Sequence, residues 1–259
     1  MPAKKKNKSA AIVRPWKKFF GVSCTHAEHI NKRSFDKALE FKKDFKPDYT
    51  FHLGDFLDTT AFRSGALGTS DGMASPELDL ECGMFHITQL EPNLILCGNH
   101  EQRLWRFINS PNAIVADYSM NLIGRIKKQA KSLNAELVEY KGIWEGRMLG
   151  SALLTHGSIF NVNAARDMAE MYGGGDVKQV VFGHTHTVGI GMARHQQPSM
   201  GINIGCMTDQ RNMDYAANRR QTLAWTNAFI YGEYCKNDFK HHLEIVDNER
   251  PPVLKAVGQ

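Results

Sequence analysis

Short apolar runs that stop at a glycine or a polar residue recur along this chain. Lys18 to Ser23, Tyr49 to Leu53 and Leu94 to Cys97 read as buried strands by length. So do 136–141, 148–155 and Val180 to Phe182, and later 199–206, 226–234 and 238–246. Helical spacing fills the gaps. Ser34 looks like an N-cap ahead of Phe35, Ala38, Leu39 and Phe45, and Pro47 stops that helix. Further helices are expected at 77–90, 102–109 and 162–172, and at 117–133, where Ile123, Ile126, Ala130 and Leu133 share a face. Gly173–Gly175 reads as a helix stop, because no phosphate-loop Lys-Ser/Thr follows it.

Strand and helix patterns alternate early and strands dominate later, which predicts an α/β domain on packed sheets over 18–247. A basic tail, 1–17, and a C-terminal tail, 248–259 with Pro251 and Pro252, flank it. Residues 61–76 are rich in Gly, Ser, Thr and Ala and end at Pro76. A loop this long is usually functional, so it is a candidate lid or substrate-contact loop.

The 259 residues carry 42% apolar and 23% charged side chains, ordinary for a globular chain. No apolar stretch approaches 18 residues, and the basic N-terminus lacks an apolar core, so neither a membrane span nor a secretory signal is expected. Five cysteines without regular spacing argue for a reducing compartment. The net charge of +5 belongs to the N-terminus: residues 1–18 hold seven Lys/Arg and no acid, leaving 25 basic against 27 acidic residues. Lys4, Lys5, Lys6 and Lys8 therefore suggest a solvated end or a weak tether to nucleic acid rather than a broad binding face.

Five strand ends carry the chemistry. In order they read Cys24-Thr25-His26, Gly54-Asp55-Phe56-Leu57-Asp58, Gly98-Asn99-His100-Glu101, His156-Gly157 and Gly183-His184-Thr185-His186. Five of the eleven histidines fall in these turns. Strand ends converge at the edge where open α/β sheets place ligands. Imidazoles, carboxylates and an amide oxygen together suit two divalent cations, with one carboxylate between them.

The order and spacing of these motifs resemble the calcineurin-like metallophosphoesterases over about 18–190. That resemblance implies a four-layer α/β/β/α sandwich with two mixed sheets. It implies that Asp55 bridges two ions and that Cys24, His26 and His186 complete one site. Asn99, His156 and His184 would bind the second ion, and His100, oriented by Asp58, would contact the phosphate or the leaving oxygen. The implied activity is hydrolysis of a phosphate ester, by attack of hydroxide activated between two ions of Mn, Fe or Zn.

Cys24 departs from the family's usual Asp-x-His. A thiolate favours Zn or Fe at that site; the other reading is a small buried residue beside a weakly held ion. Cys in this motif is similar to RNA lariat debranching enzymes of the same superfamily, which cleave a phosphodiester. With the basic tail, this favours a phosphodiester substrate, nucleic acid or nucleotide, over a phosphomonoester of nucleotides or phosphoproteins. A weakly active binding scaffold is the remaining reading.

Arg103, one turn past His100, is either a phosphate contact or an exposed helix arginine. Glu101 is expected to cap a helix turn or bind a supporting group. His29, His52, His86 and His195 are read as ordinary residues, Cys82, Cys97, Cys206 and Cys235 as buried fillers, and Trp225 and Phe229 as strand core. Gly205-Cys206, Tyr215, Trp225 and Phe229 also resemble phosphoesterases encoded by phages and prophages, which implies the cytoplasm of a bacterium or an infected host.

Overall fold

Phe19 and Phe20 leave one strand on opposite sides, and both are fully buried. A strand can hide both faces only inside a layered structure. The computed structural model, which describes residues 15–195, 198–213 and 224–246, supplies those layers. The basic stretch with Lys4, Lys5, Lys6 and Lys8, Tyr215 and the 248–259 tail lie outside the described residues.

The strands are β1 (Lys17–Val22), β2 (Tyr49–His52), β3 (Leu94–Leu96), β4 (Glu136–Val138), β5 (Arg147–Leu149), β6 (Ala152–Leu154), β7 (Gln179–Phe182), β8 (Val188–Met192), β9 (Met200–Ile204), β10 (Ala228–Cys235) and β11 (Asp238–Ile245). The helices are α1 (Lys32–Phe45), α2 (Pro76–Leu90), α3 (Glu101–Phe107), α4 (Ala113–Ser132) and α5 (Ala164–Tyr172).

One sheet has the order β11-β10-β1-β2-β3-β4 and the other β5-β6-β7-β9-β8. Both are mixed. β1 to β4 run parallel while β10 and β11 are antiparallel; β6, β7 and β9 run parallel while β5 and β8 are antiparallel.

Alternation along each strand sorts the core into layers. Phe19, Phe51, Leu53, Leu94, Leu96, Val181 and Ile202 meet between the sheets. Phe20 and Val22 pack with Phe35 and Ala38 of α1. Ile95 packs with Leu80, Ile87, Leu122 and Ile126 of α2 and α4. Val180 and Phe182 pack with Ala164 and Met168 of α5. The result is the four-layer α/β/β/α sandwich expected from the motifs.

Several local expectations change. Asn31, not Ser34, caps α1: its side chain accepts the Ser34 N–H, so Ser34 lies inside the helix. Pro76 opens α2 at the first helical position, where its missing N–H has no partner to lose. The run 148–155 is a hairpin, β5 and β6, because Gly150 turns the chain at φ 62°. β8 was not expected at all. Its sequence, Val-Gly-Ile-Gly-Met, lacks a continuous apolar run.

The 61–76 loop is built on its own contacts. It holds 3-10 turns at Thr60–Phe62 and Ser70–Met73, and the Arg63 Nε donates to Asp71 Oδ2 at 2.9 Å. Among the described residues, no helix is long and apolar enough to cross a membrane.

Candidate metal centre

Each candidate side chain stands in the turn just past a strand. Cys24 and His26 follow β1, Asp55 and Asp58 follow β2, and Asn99 and His100 lie between β3 and α3. His156 follows β6, and His184 and His186 follow β7. The β1 and β2 turns stay paired beyond the strands, with Cys24 N–H to Gly54 O at 2.9 Å and His26 N–H to Asp55 O at 3.0 Å.

The backbone is strained where the chemistry sits. Cys24 (φ 52°), His26 (49°), Asp55 (54°), His184 (65°) and His186 (61°) are all left-handed. Each costs roughly 1–2 kcal/mol for a residue with a Cβ and persists only when its surroundings fix it. Two glycines allow the crowding. A Cβ on Gly98 would lie 2.1 Å from Asp55 Oδ1, and one on Gly54 would lie 2.6 Å from His156 Nδ1.

Among the described residues, three donor groups result: His26, Asp58 and His100 form one, and the other two share Asp55. Cys24, His26, Asp55 and His186 offer ligand atoms within 4.8 Å of one another, and so do Asp55, His156 and His184. Asn99 joins the last of these: its Oδ1 is 3.1 Å from His156 Nε2 and 2.9 Å from His184 Nδ1.

Hydrogen bonds fix which nitrogens face inward. His156 Nδ1 is 2.7 Å from Leu53 O; a carbonyl only accepts, so Nδ1 carries a proton and in the neutral ring Nε2 keeps its lone pair. His26 Nδ1 donates to Asp58 Oδ1 at 2.9 Å, which leaves Nε2 facing His186 Nε2 at 3.0 Å. His186 Nδ1 is buried without a partner among the described residues. Cys24 Sγ accepts the His184 N–H at 3.3 Å. Burial, then Asp55, pushes the Cys24 thiol well above its ordinary pKa. Burial lowers the His186 pKa well below that of free imidazole.

Converging lone pairs and a shared carboxylate together fit divalent cations. Without cations, so many buried acceptors facing one another would be costly.

His100 stands beside this cluster. Its Nδ1 donates to Asp58 O at 2.7 Å, with Asp58 Oδ1 3.2 Å away. Its Nε2 lies 3.3 Å from Arg103 Nη2, and Arg103 Nη1 donates to Asp58 O at 2.8 Å. Arg103 is thus part-buried against the site rather than free on its helix. Burial alone would lower the His100 pKa, but Asp55 and the hydrogen-bonded Asp58 outweigh it and hold it up at about 9.

Three supports went unrecognised in the sequence. Asp79 of α2 accepts the N–H groups of Asp58 and Thr59 at 2.9 and 3.0 Å. Thr60 Oγ1 donates to Asp58 Oδ2. His52, read as ordinary, accepts the Gly54 N–H at Nδ1 (3.1 Å), so its Nε2–H points at Thr25 Oγ1, 3.2 Å away. Burial lowers its pKa to about 3. Asp79 had no local signal, since it lies 20 residues or more from the turn it supports, whereas Thr60 and His52 lie two residues from Asp58 and Gly54.

Two readings are corrected. Cys82 is half-buried rather than a core filler. Trp225 precedes β10 and stands edge-on to His186, 4.1 Å between ring centres, while Phe229 is core.

A cluster of His, Asp and Cys side chains that could hold metal, at the strand ends of a four-layer α/β/β/α sandwich, points to a class of hydrolases, and the comparisons give the family. Residues 17–188 match the calcineurin-like phosphoesterases. The chain belongs to that family, whose members are metal-dependent hydrolases of phosphoric esters.

No curated protein matches. Among solved structures, a conserved uncharacterized protein described as a predicted phosphoesterase, from Streptococcus pneumoniae TIGR4, is 14% identical. The match covers 93% of this chain and 95% of that one, with a TM-score of 0.37. Yfce, a phosphoesterase from E. coli, is 15% identical over 89% of this chain and all (100%) of that one, with a TM-score of 0.38. Vacuolar Protein Sorting 29 from Cryptosporidium parvum is 12% identical over 89% and 97%, with a TM-score of 0.43. Membership rests on the family match and not on these distant likenesses.

Proposed function

We propose that the chain is a dinuclear phosphodiesterase whose substrate is a nucleotide or nucleic-acid ester. The carrying observation is that Asp55 belongs to two of the three donor groups. On this reading Cys24, His26, Asp55 and His186 hold one ion, and Asp55, Asn99, His156 and His184 hold the other. Cys24 biases the first position toward Zn or Fe, because a thiolate is a soft ligand. Bound divalent ions supply Lewis acidity at this point, lowering the pKa of water and neutralising phosphoryl charge.

The protein's own groups do the rest. Asp58 fixes the His26 ring through Nδ1, and Leu53 O fixes the His156 ring in the same way. His100 keeps Nδ1 on Asp58 O, so Nε2 is the nitrogen that can pass a proton to the departing ester oxygen. Arg103, 3.3 Å from the same Nε2, offers its guanidinium to a phosphoryl oxygen.

The diester preference draws on the Cys24 motif and the basic N-terminal stretch. Comparing rates on bis-p-nitrophenyl phosphate and p-nitrophenyl phosphate tests it. The diester is expected to be cleaved faster; a clear preference for the monoester would overturn the substrate class while leaving the family unaffected.

A further inference from the structure

Three aromatic rings stand edge-on to three histidines of the cluster. Tyr140 meets His156 at 5.6 Å, Trp225 meets His186 at 4.1 Å and Phe160 meets His184 at 6.0 Å. Two of them have an evident packing role. Tyr140 is part-buried and its hydroxyl donates to Gly157 O, and Trp225 is partly buried against its histidine.

Phe160 differs, because 59% of it is exposed. So open a phenyl ring gains little from burial, and its neighbour Val162 is 98% exposed. The segment carrying it is nonetheless pinned at both ends. Tyr140 holds Gly157 O, Asn161 Oδ1 accepts the Asn163 N–H at 2.7 Å, and Asn161 Nδ2 donates to Asp167 Oδ2 at 3.0 Å. The ring is therefore presented to solvent from a fixed position at the rim. His184 beside it and Asn99, bonded to His184, are themselves partly exposed.

We infer that Phe160 is the platform on which the nucleobase of the substrate stacks while its phosphate sits at the metal centre. This rests on, and narrows, the phosphoesterase reading of the site. Every base offers a flat π-face, so an exposed, fixed ring recognises a base without selecting its identity. A nucleotide or a single-stranded nucleic acid fits such a rim, and an alkyl phosphate gains nothing from it.

The test is the preference for a base. Titration calorimetry gives dissociation constants of adenosine 5′-monophosphate and ethyl phosphate for the metal-loaded protein. The wild type is expected to bind the nucleotide on the order of ten- to a hundredfold more tightly. That ratio should fall toward one in Phe160→Ala and in Phe160→Leu, which keeps apolar area but loses the ring, and persist in Phe160→Trp. Equal binding of the two ligands by the wild type, or a ratio unchanged in Phe160→Leu, would overturn the assignment. Hydrolysis of bis-p-nitrophenyl phosphate by the same wild-type sample separates the two failures. Activity without base preference removes only the stacking platform, and absence of activity removes the reading of the site beneath it.

Discussion

The carboxylate of Glu101 accepts the backbone N–H of Asp55 at 3.0 Å, 46 residues earlier in the chain. The same side chain accepts the N–H groups of Leu57 at 2.7 Å and Gly98 at 2.6 Å. One fully buried carboxylate thereby ties the turn after β2 to the turn after β3. Burial, then Asp55, raises its pKa to about 7. Glu101→Ala would leave three buried N–H groups unpaired, at about 1–3 kcal/mol each. We expect a loss of about 3 kcal/mol or more in urea unfolding, together with weaker metal retention as Asp55 shifts. Unchanged stability would show that water replaces the carboxylate.

Asp58 and His100 are expected to fail differently. Asp58 Oδ1 holds His26 at 2.9 Å, so Asp58→Ala should weaken metal retention about 10- to 100-fold as well as slowing turnover. His100 sits outside both donor groups that share Asp55. His100→Ala should keep the metal content and lower kcat by about 10²–10⁴. Metal analysis alongside kcat separates the two, and metal loss in His100→Ala would place that ring among the ligands.

Cys24 offers a direct handle on metal choice. Cys24→Asp exchanges a soft donor for a hard one at the same left-handed position, φ 52°. After reconstitution from an equimolar mixture of Zn and Mn, the wild type should retain more Zn and the variant more Mn. An identical metal ratio in the two proteins would mean that the thiol does not touch the ion.

The strand ends were legible because the inner parallel strands are buried on both faces and so read as apolar runs cut short by a turn, as in Val180 to Phe182. β8 was not legible, for a physical reason. A Cβ on Gly191 would lie 2.5 Å from Arg166 N, and one on neighbouring Gly201 would lie 1.7 Å from Ala165 O. Gly191, one of the two glycines that disguise the strand, lets α5 approach, whereas a Cβ on Gly189 would meet open space. The ligand side chains announced themselves through their own motifs. Their support Asp79 did not, because a carboxylate that accepts backbone N–H groups 20 residues away leaves no local pattern. Trp225 was misread because an apolar residue near a strand looks the same whether it faces the core or a histidine.

The claim that Asp55 serves two cations is tested most directly by metal analysis of the purified protein, combined with anomalous scattering from its crystals. About two ions per chain are expected, both within about 2.0–2.2 Å of Asp55 carboxylate oxygens. A single ion, or two ions of which only one touches Asp55, would contradict it.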